Sequence, residues 1–68
     1  MSTNDHIARE YARTFSSASG RAVIDHLRTI TIERWMGPSA SDAELRSIEA
    51  QRALVHQIEQ MITRGQKT

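Results

Sequence analysis

Apolar residues recur every three or four positions in three stretches of this chain, which is the spacing of amphipathic helices. In the first stretch, Ile7, Ala8, Tyr11 and Phe15 share one face. This pattern predicts a helix over about residues 5–15, with an N-cap at Asn4 or Thr3.

A second helix is predicted over about residues 18–35, with Ser17 as its N-cap. The β-branched run of residues 29–32 alternates like a strand, but it lies within the longer helical pattern and is interpreted as helix. The inward face of this helix is predicted to consist of five residues: Val23, Ile24, Leu27, Ile30 and Thr31.

The break at residues 36–41 contains the single proline and precedes the third predicted helix. Ser41 and Glu44 have the spacing of a capping box, in which each side chain binds the other residue's backbone amide. The helix is predicted over about residues 42–64, with Gly65 ending it in the left-handed conformation.

The predicted fold is therefore all-α: one domain spanning residues 1–68 and forming a small three-helix bundle. The short connection predicts that helices 2 and 3 form a hairpin, with the short N-terminal helix packed across it. Helix packing is assigned to Phe15, Gly20, Val23 and Leu27. Gly20 lies in the first turn of helix 2, where the missing side chain allows another helix to approach closely.

The core of such a domain must be small. The chain has 68 residues, 38% of them hydrophobic, and only three aromatic side chains. A domain of this size buries roughly 60% of the surface of its unfolded chain. With no cysteine to form disulfides, self-association or a binding partner is a natural source of further stability.

Helix 3 carries an apolar stripe that is wider than one partner helix requires. One interpretation is that the stripe packs only on helices 1 and 2; the other is that part of it binds another chain. Trp35 either covers the open end of the core or anchors a partner. The candidate partner interface consists of Trp35, Gln51, Arg52, Val55, Ile58 and Ile62.

The sequence contains no recognisable catalytic motif. His6, His26 and His56 fall one on each predicted helix, so none has the i, i+3 or i, i+4 histidine partner of a helical metal site. We therefore expect no enzyme activity and assign no catalytic residue, metal site or cofactor.

Charge gives little support for nucleic-acid binding. Nine basic and eight acidic residues are interspersed and form no basic stripe. A helix-turn-helix interpretation of helices 1 and 2 is weak, because Asp25 lies near the few polar residues of the predicted recognition helix. The absence of a long apolar run and the polar start predict a soluble, intracellular protein without a membrane span.

Two blocks of residues resemble a family of small proteins of tailed phages and prophages, of the type found in short-tailed Bordetella phages. The first block runs from Phe15 to Leu27, and the second begins at Gln51 and Arg52. The chain departs from the family pattern at Ala18, often proline, and at Ala50, often glycine. The matching positions are Phe15, Ser17, Gly20, Arg21, Val23, Leu27, Gln51, Arg52, Ile58 and Met61.

The resemblance implies a structural or ejection-associated virion protein that binds other virion proteins, such as portal, tail or internal proteins, in several symmetric copies. Its location would then be the virion, and the bacterial host cytoplasm during assembly. The alternative is a small regulatory or DNA-associated phage protein in the infected cell.

Overall fold

The computed structural model describes residues 3–32 and 41–67, and these residues form three α-helices. Helix α1 spans Thr3–Ser16, α2 spans Ala18–Thr31 and α3 spans Asp42–Lys67. The described part of the chain has no strand, and residues 29–31 are helical. The predicted all-α, three-helix fold is confirmed.

A single residue, Ser17, separates α1 from α2. Its backbone is extended, with φ −73° and ψ 164°, and its side chain accepts a hydrogen bond from the Gly20 amide at 3.0 Å. This bond satisfies one of the amides left free at a helix start. Ser17 therefore both turns the chain and caps α2.

At the start of α3, the Ser41 hydroxyl oxygen accepts a hydrogen bond from the Glu44 amide at 3.1 Å. The Ser41 hydroxyl also donates to the Glu44 carboxylate at 3.1 Å. Ser41 therefore caps α3, while the Glu44 side chain binds the serine hydroxyl and not the serine amide that a full capping box would use.

The end of α3 differs from the sequence prediction. Helix α3 continues to Lys67, and neither Gly65 nor Gly20 has a positive φ. Gly65 is a helical residue at a close contact with α1, where the absence of a side chain is required for packing. The predicted left-handed cap at Gly65 is wrong, because this glycine lies within α3 and allows α1 to pack closely against it.

Helix α1 makes its largest contact with α3. The contacts of α2 with α1 and with α3 are both smaller. A Cβ on Gly65 would lie 2.6 Å from the Ala8 carbonyl carbon and 2.9 Å from the Ala12 Cβ, and it would be closer still to the Ala8 oxygen. The Asp5 carboxylate accepts two bonds from the Arg64 guanidinium, at 2.8 and 3.1 Å, beside this contact. Helix α1 therefore packs on the C-terminal part of α3. The prediction placed it across the hairpin of helices 2 and 3.

Helix α2 joins α3 through polar contacts. The Arg28 guanidinium lies 2.6 Å from the Glu59 carboxylate, and Arg52 Nε donates to the Thr31 carbonyl at 3.2 Å. Because later residues of α2 pair with earlier residues of α3, the two helices are antiparallel. This is the relative orientation predicted for the hairpin.

The apolar core is thin. The buried hydrophobic residues are Ala8, Ile24, Ile48 and Val55, and no large side chain is fully buried among the described residues. The molecule measures 47 × 26 × 12 Å. It is therefore elongated rather than spherical.

Candidate interaction surface

The outer side of α2 carries a line of apolar side chains, and single apolar residues are also exposed at Ile7, Leu45 and Leu54. Val23 and Ile30 are 52% and 43% exposed, and Leu27 between them is half-buried. Their i, i+4, i+7 spacing places all three on one line along the helix. We call Val23, Leu27 and Ile30 the α2 stripe.

The exposure of Val23 and Ile30 corrects the sequence prediction that both face inward. The buried face of α2 is formed by Gly20, Ile24 and Thr31. A Cβ on Gly20 would lie 2.6 Å from the Phe15 Cα and closer to the Thr14 carbonyl oxygen. This close approach fixes the rotation of α2 about its axis. Val23 and Ile30 each precede a buried residue by one position, so each is turned about 100° away from the core.

The predicted partner residues of α3 are not equivalent in the structure. Val55 is only 4% exposed and belongs to the core of the single chain, so it is not available as a surface residue. Ile58 and Ile62 are half-buried, whereas Gln51 is exposed. Trp35 lies outside the described residues.

Arg52 has an intramolecular role that the sequence did not indicate. Besides its bond to the Thr31 carbonyl, it donates to Glu49 at 3.0 Å. The Thr31 hydroxyl in turn donates to the Leu27 carbonyl at 2.6 Å. Arg52 thus binds one of the free carbonyls at the C-terminal end of α2, where a positive charge also favours the helix dipole.

Phe15 and Gly20, two of the predicted packing residues, lie at the corner between α1 and α2. Phe15 is half-buried and stacks on Tyr11 with 6.5 Å between ring centroids. Phe15 and Ile24 also line a shallow groove with Ile62 of α3. Gly20 at this corner makes the close approach predicted for it, and Leu27 is partly covered, whereas Val23 is not.

Other surface features offer little chemistry. A groove lined by His56, Glu59 and Arg64 of α3 is open to solvent. Among residues 3–32 and 41–67, no three His, Asp or Glu side chains come together in a way that could hold a metal ion. No helix in this part of the chain is both long enough and apolar enough to cross a membrane.

The fold and the α2 stripe define a small all-α protein with a thin core and an exposed apolar helix face. The family model of Bbp19-like phage proteins matches residues 11–66. Because the match covers most of the chain, the protein belongs to the family of Bbp19-like phage proteins. No curated protein and no solved structure matches the chain.

The matched region includes both the corner and the end of α2. It contains Ser17 and Gly20, which form the corner, and Arg52, which binds the end of α2. It also contains Gly65, whose contact with Ala8 was not predicted from the sequence. The available signal was the i, i+4 pair of small residues Ala8 and Ala12, which leaves room for a second helix backbone on that face of α1.

Proposed function

We propose that this protein is a small structural or ejection-associated component of a phage virion, which acts by binding other virion proteins in several copies. The family establishes a phage protein. The observation that carries the proposal further is the α2 stripe, an apolar surface on a molecule with little core of its own. The proposed partners are portal, tail or internal proteins.

The α2 stripe has the form of a helix surface that packs on another helix. Its residues Val23, Leu27 and Ile30 would present three apolar anchors, the arrangement by which amphipathic helices bind grooves. Flanking residues on α2, including Ser19 and His26, are exposed and polar. An apolar centre with a polar rim is typical of protein interfaces.

The shape of the chain also supports binding in an assembly. Its accessible surface is 5049 Å², whereas a compact protein of this mass exposes about 4,300 Å². Its radius of gyration is 14.3 Å, compared with about 11 Å for a compact chain of this length. An elongated chain of this kind leaves more of its surface available to a partner than a compact one does.

The proposal assigns binding and not catalysis, and therefore no catalytic residue or cofactor. The grooves described above are shallow, whereas ligand sites are concave and bury most of their ligand. The expected location is the virion, with the host cytoplasm as the site of assembly. A regulatory or DNA-associated role in the infected cell is the competing outcome of the experiments below.

The first experiment is quantitative mass spectrometry of purified, nuclease-treated particles from the phage or prophage that encodes this chain. A symmetric virion component is expected at a fixed multiple of six or twelve copies per portal, because closed rings set such ratios. Absence from particles, together with abundance in infected cells, would contradict the virion role and favour the regulatory one.

The second experiment changes the α2 stripe. Val23→Asp places a charge in the apolar stripe and should reduce the copy number in particles by about tenfold or more if the stripe is the interface. Ala22→Asp is the matched control, because Ala22 is the exposed neighbouring position on the same helix. Equal incorporation of both variants would exclude the stripe as the binding surface.

A further inference from the structure

We propose that α1 is exchanged between two copies of this chain, with rotation at Ser17 as the hinge and the α3 surface around Gly65 as the seat. In the exchanged dimer, each α1 would pack on the α3 of the other copy. The occupant of the seat is therefore a second copy of this chain. The inference does not depend on the proposed virion role.

The contact between α1 and its seat on α3 is the first observation that supports exchange. The contact of α1 with α3 is the largest between helices, and it includes Ala8, which is completely buried. The contact is specific, because Gly65 receives the Ala8 backbone and Arg64 receives Asp5. A second copy presents the same surfaces, so an exchanged α1 would make the same contacts.

The second support is the hinge. Ser17 alone separates α1 from α2, and its φ of −73° is already close to a helical value. Its ψ of 164° would need to rotate by about 150° to reach the helical region. That single rotation would convert Thr3–Thr31 into one continuous helix about 43 Å long.

Straightening at Ser17 would remove α1 from its own seat. Because α2 is antiparallel to α3, the start of α2 lies towards the C-terminal end of α3. A helix that continued straight from α2 in the N-terminal direction would extend past that end. The vacated seat and the released α1 would each be complementary to those of a second copy, which closes a two-fold dimer.

One residue holds the corner in its bent form. The Ser17 side chain caps α2, a bond available only when the chain bends there. Gly20 leaves space for the backbone of Thr14 and Phe15 in the single chain. An exchanged α1 would present the same backbone to Gly20 of the other copy, so this close contact is common to both forms.

The balance between the two forms can therefore be shifted in both directions at the hinge. Ser17→Ala removes the cap that only the bent form makes, so it should increase the dimer association constant by at least about fivefold. Ala18→Pro should decrease that constant by at least about tenfold. Proline is accepted at the first position of α2, but within a continuous helix it would clash with the carbonyl of Thr14.

Gly65→Ala is the control that changes the seat and leaves the hinge unaltered. Its Cβ would meet the Ala8 carbonyl in the monomer and equally in the exchanged dimer. It should therefore weaken the attachment of α1 without raising the dimer association constant. The measurement is sedimentation equilibrium between about 10 µM and about 1 mM, because the dimer fraction rises with concentration by mass action.

A charge exchange tests which surfaces the dimer uses. Asp5→Arg in one chain and Arg64→Asp in another each create like charges at the seat of the single chain. In a mixed exchanged dimer, both seats regain opposite charges. Native mass spectrometry of the mixture should show mixed dimers enriched at least about threefold over random pairing.

These measurements decide the proposal. Mixed dimers at the random ratio, or a dimer constant unaffected by Ala18→Pro, would overturn it. A Ser17→Ala chain whose dimer association constant was unchanged would also overturn it. If Ser17→Ala lost its helical circular dichroism, the charge-exchanged pair would still decide the question on the unaltered corner.

Discussion

Gly65 of α3 lies against the backbone carbonyl of Ala8 in α1, so closely that a Cβ on Gly65 would be 2.6 Å from the Ala8 carbonyl carbon. Both residues are helical, and helices can approach this closely only where side chains are small or absent. The contact joins two residues that are more than fifty positions apart in sequence. It makes the largest helix-helix contact of the molecule depend on one glycine.

Gly65→Ala should destabilise the protein by about 1–3 kcal/mol, because the added methyl group must displace the Ala8 backbone. The direction of the change in stability is informative, because at an ordinary helix position alanine stabilises by about 0.5–1 kcal/mol relative to glycine. Urea unfolding followed by circular dichroism measures the change. Gln66→Ala, at the neighbouring exposed position, is the control; equal stability of both variants would show that α1 is not seated on Gly65 in solution.

Ser17→Ala should cost about 1 kcal/mol in the free energy of unfolding, because the Gly20 amide loses its side-chain acceptor. The measurement should be made at low protein concentration, where the single chain dominates. Ser19→Ala changes the same residue type two positions later, at an exposed site within α2, and should have little effect. A loss that was larger for Ser19→Ala would contradict the assignment of Ser17 as the cap.

Arg52→Leu should loosen the C-terminal end of α2, because the Thr31 carbonyl loses its donor. Amide hydrogen exchange should show faster exchange in the last turn of α2, with little change at the α1–α2 corner. Arg46→Leu, at an exposed position of α3, is the matched control. Unchanged protection in α2 would contradict a stabilising role for the contact between Arg52 and the Thr31 carbonyl.

The Arg28–Glu59 pair should contribute about 0.5 kcal/mol, after allowance for solvent screening of two partly exposed side chains. A double-mutant cycle with Arg28→Gln and Glu59→Gln isolates this interaction energy. It should fall at high salt, because exposed charges are screened. The more exposed Arg13–Glu10 pair provides a comparison that should give a smaller value; a cycle energy of zero at low salt would refute the link.

The local elements of the fold were readable from particular residues. The apolar spacing in α1 and α2, and the serines at 17 and 41, located helices whose starts depend on hydrogen bonds within four residues. The candidate site was less predictable. Val23 and Val55 have similar positions in their apolar patterns, yet Val23 is exposed and Val55 is in the core. Periodicity identifies an apolar face but not the rotation at which a neighbouring helix covers it.

The sequence by itself therefore determined the all-α fold of three helices, the capped starts of α2 and α3, and the resemblance to a phage family that the family model supports. Only the tertiary structure decided the roles of Gly65 and Arg52, the seating of α1 on α3, and the exposure of the α2 stripe. The physical reason is the distance along the sequence over which each kind of interaction acts. Caps and helical periodicity act between residues a few positions apart, whereas close backbone packing depends on where distant helices meet in space.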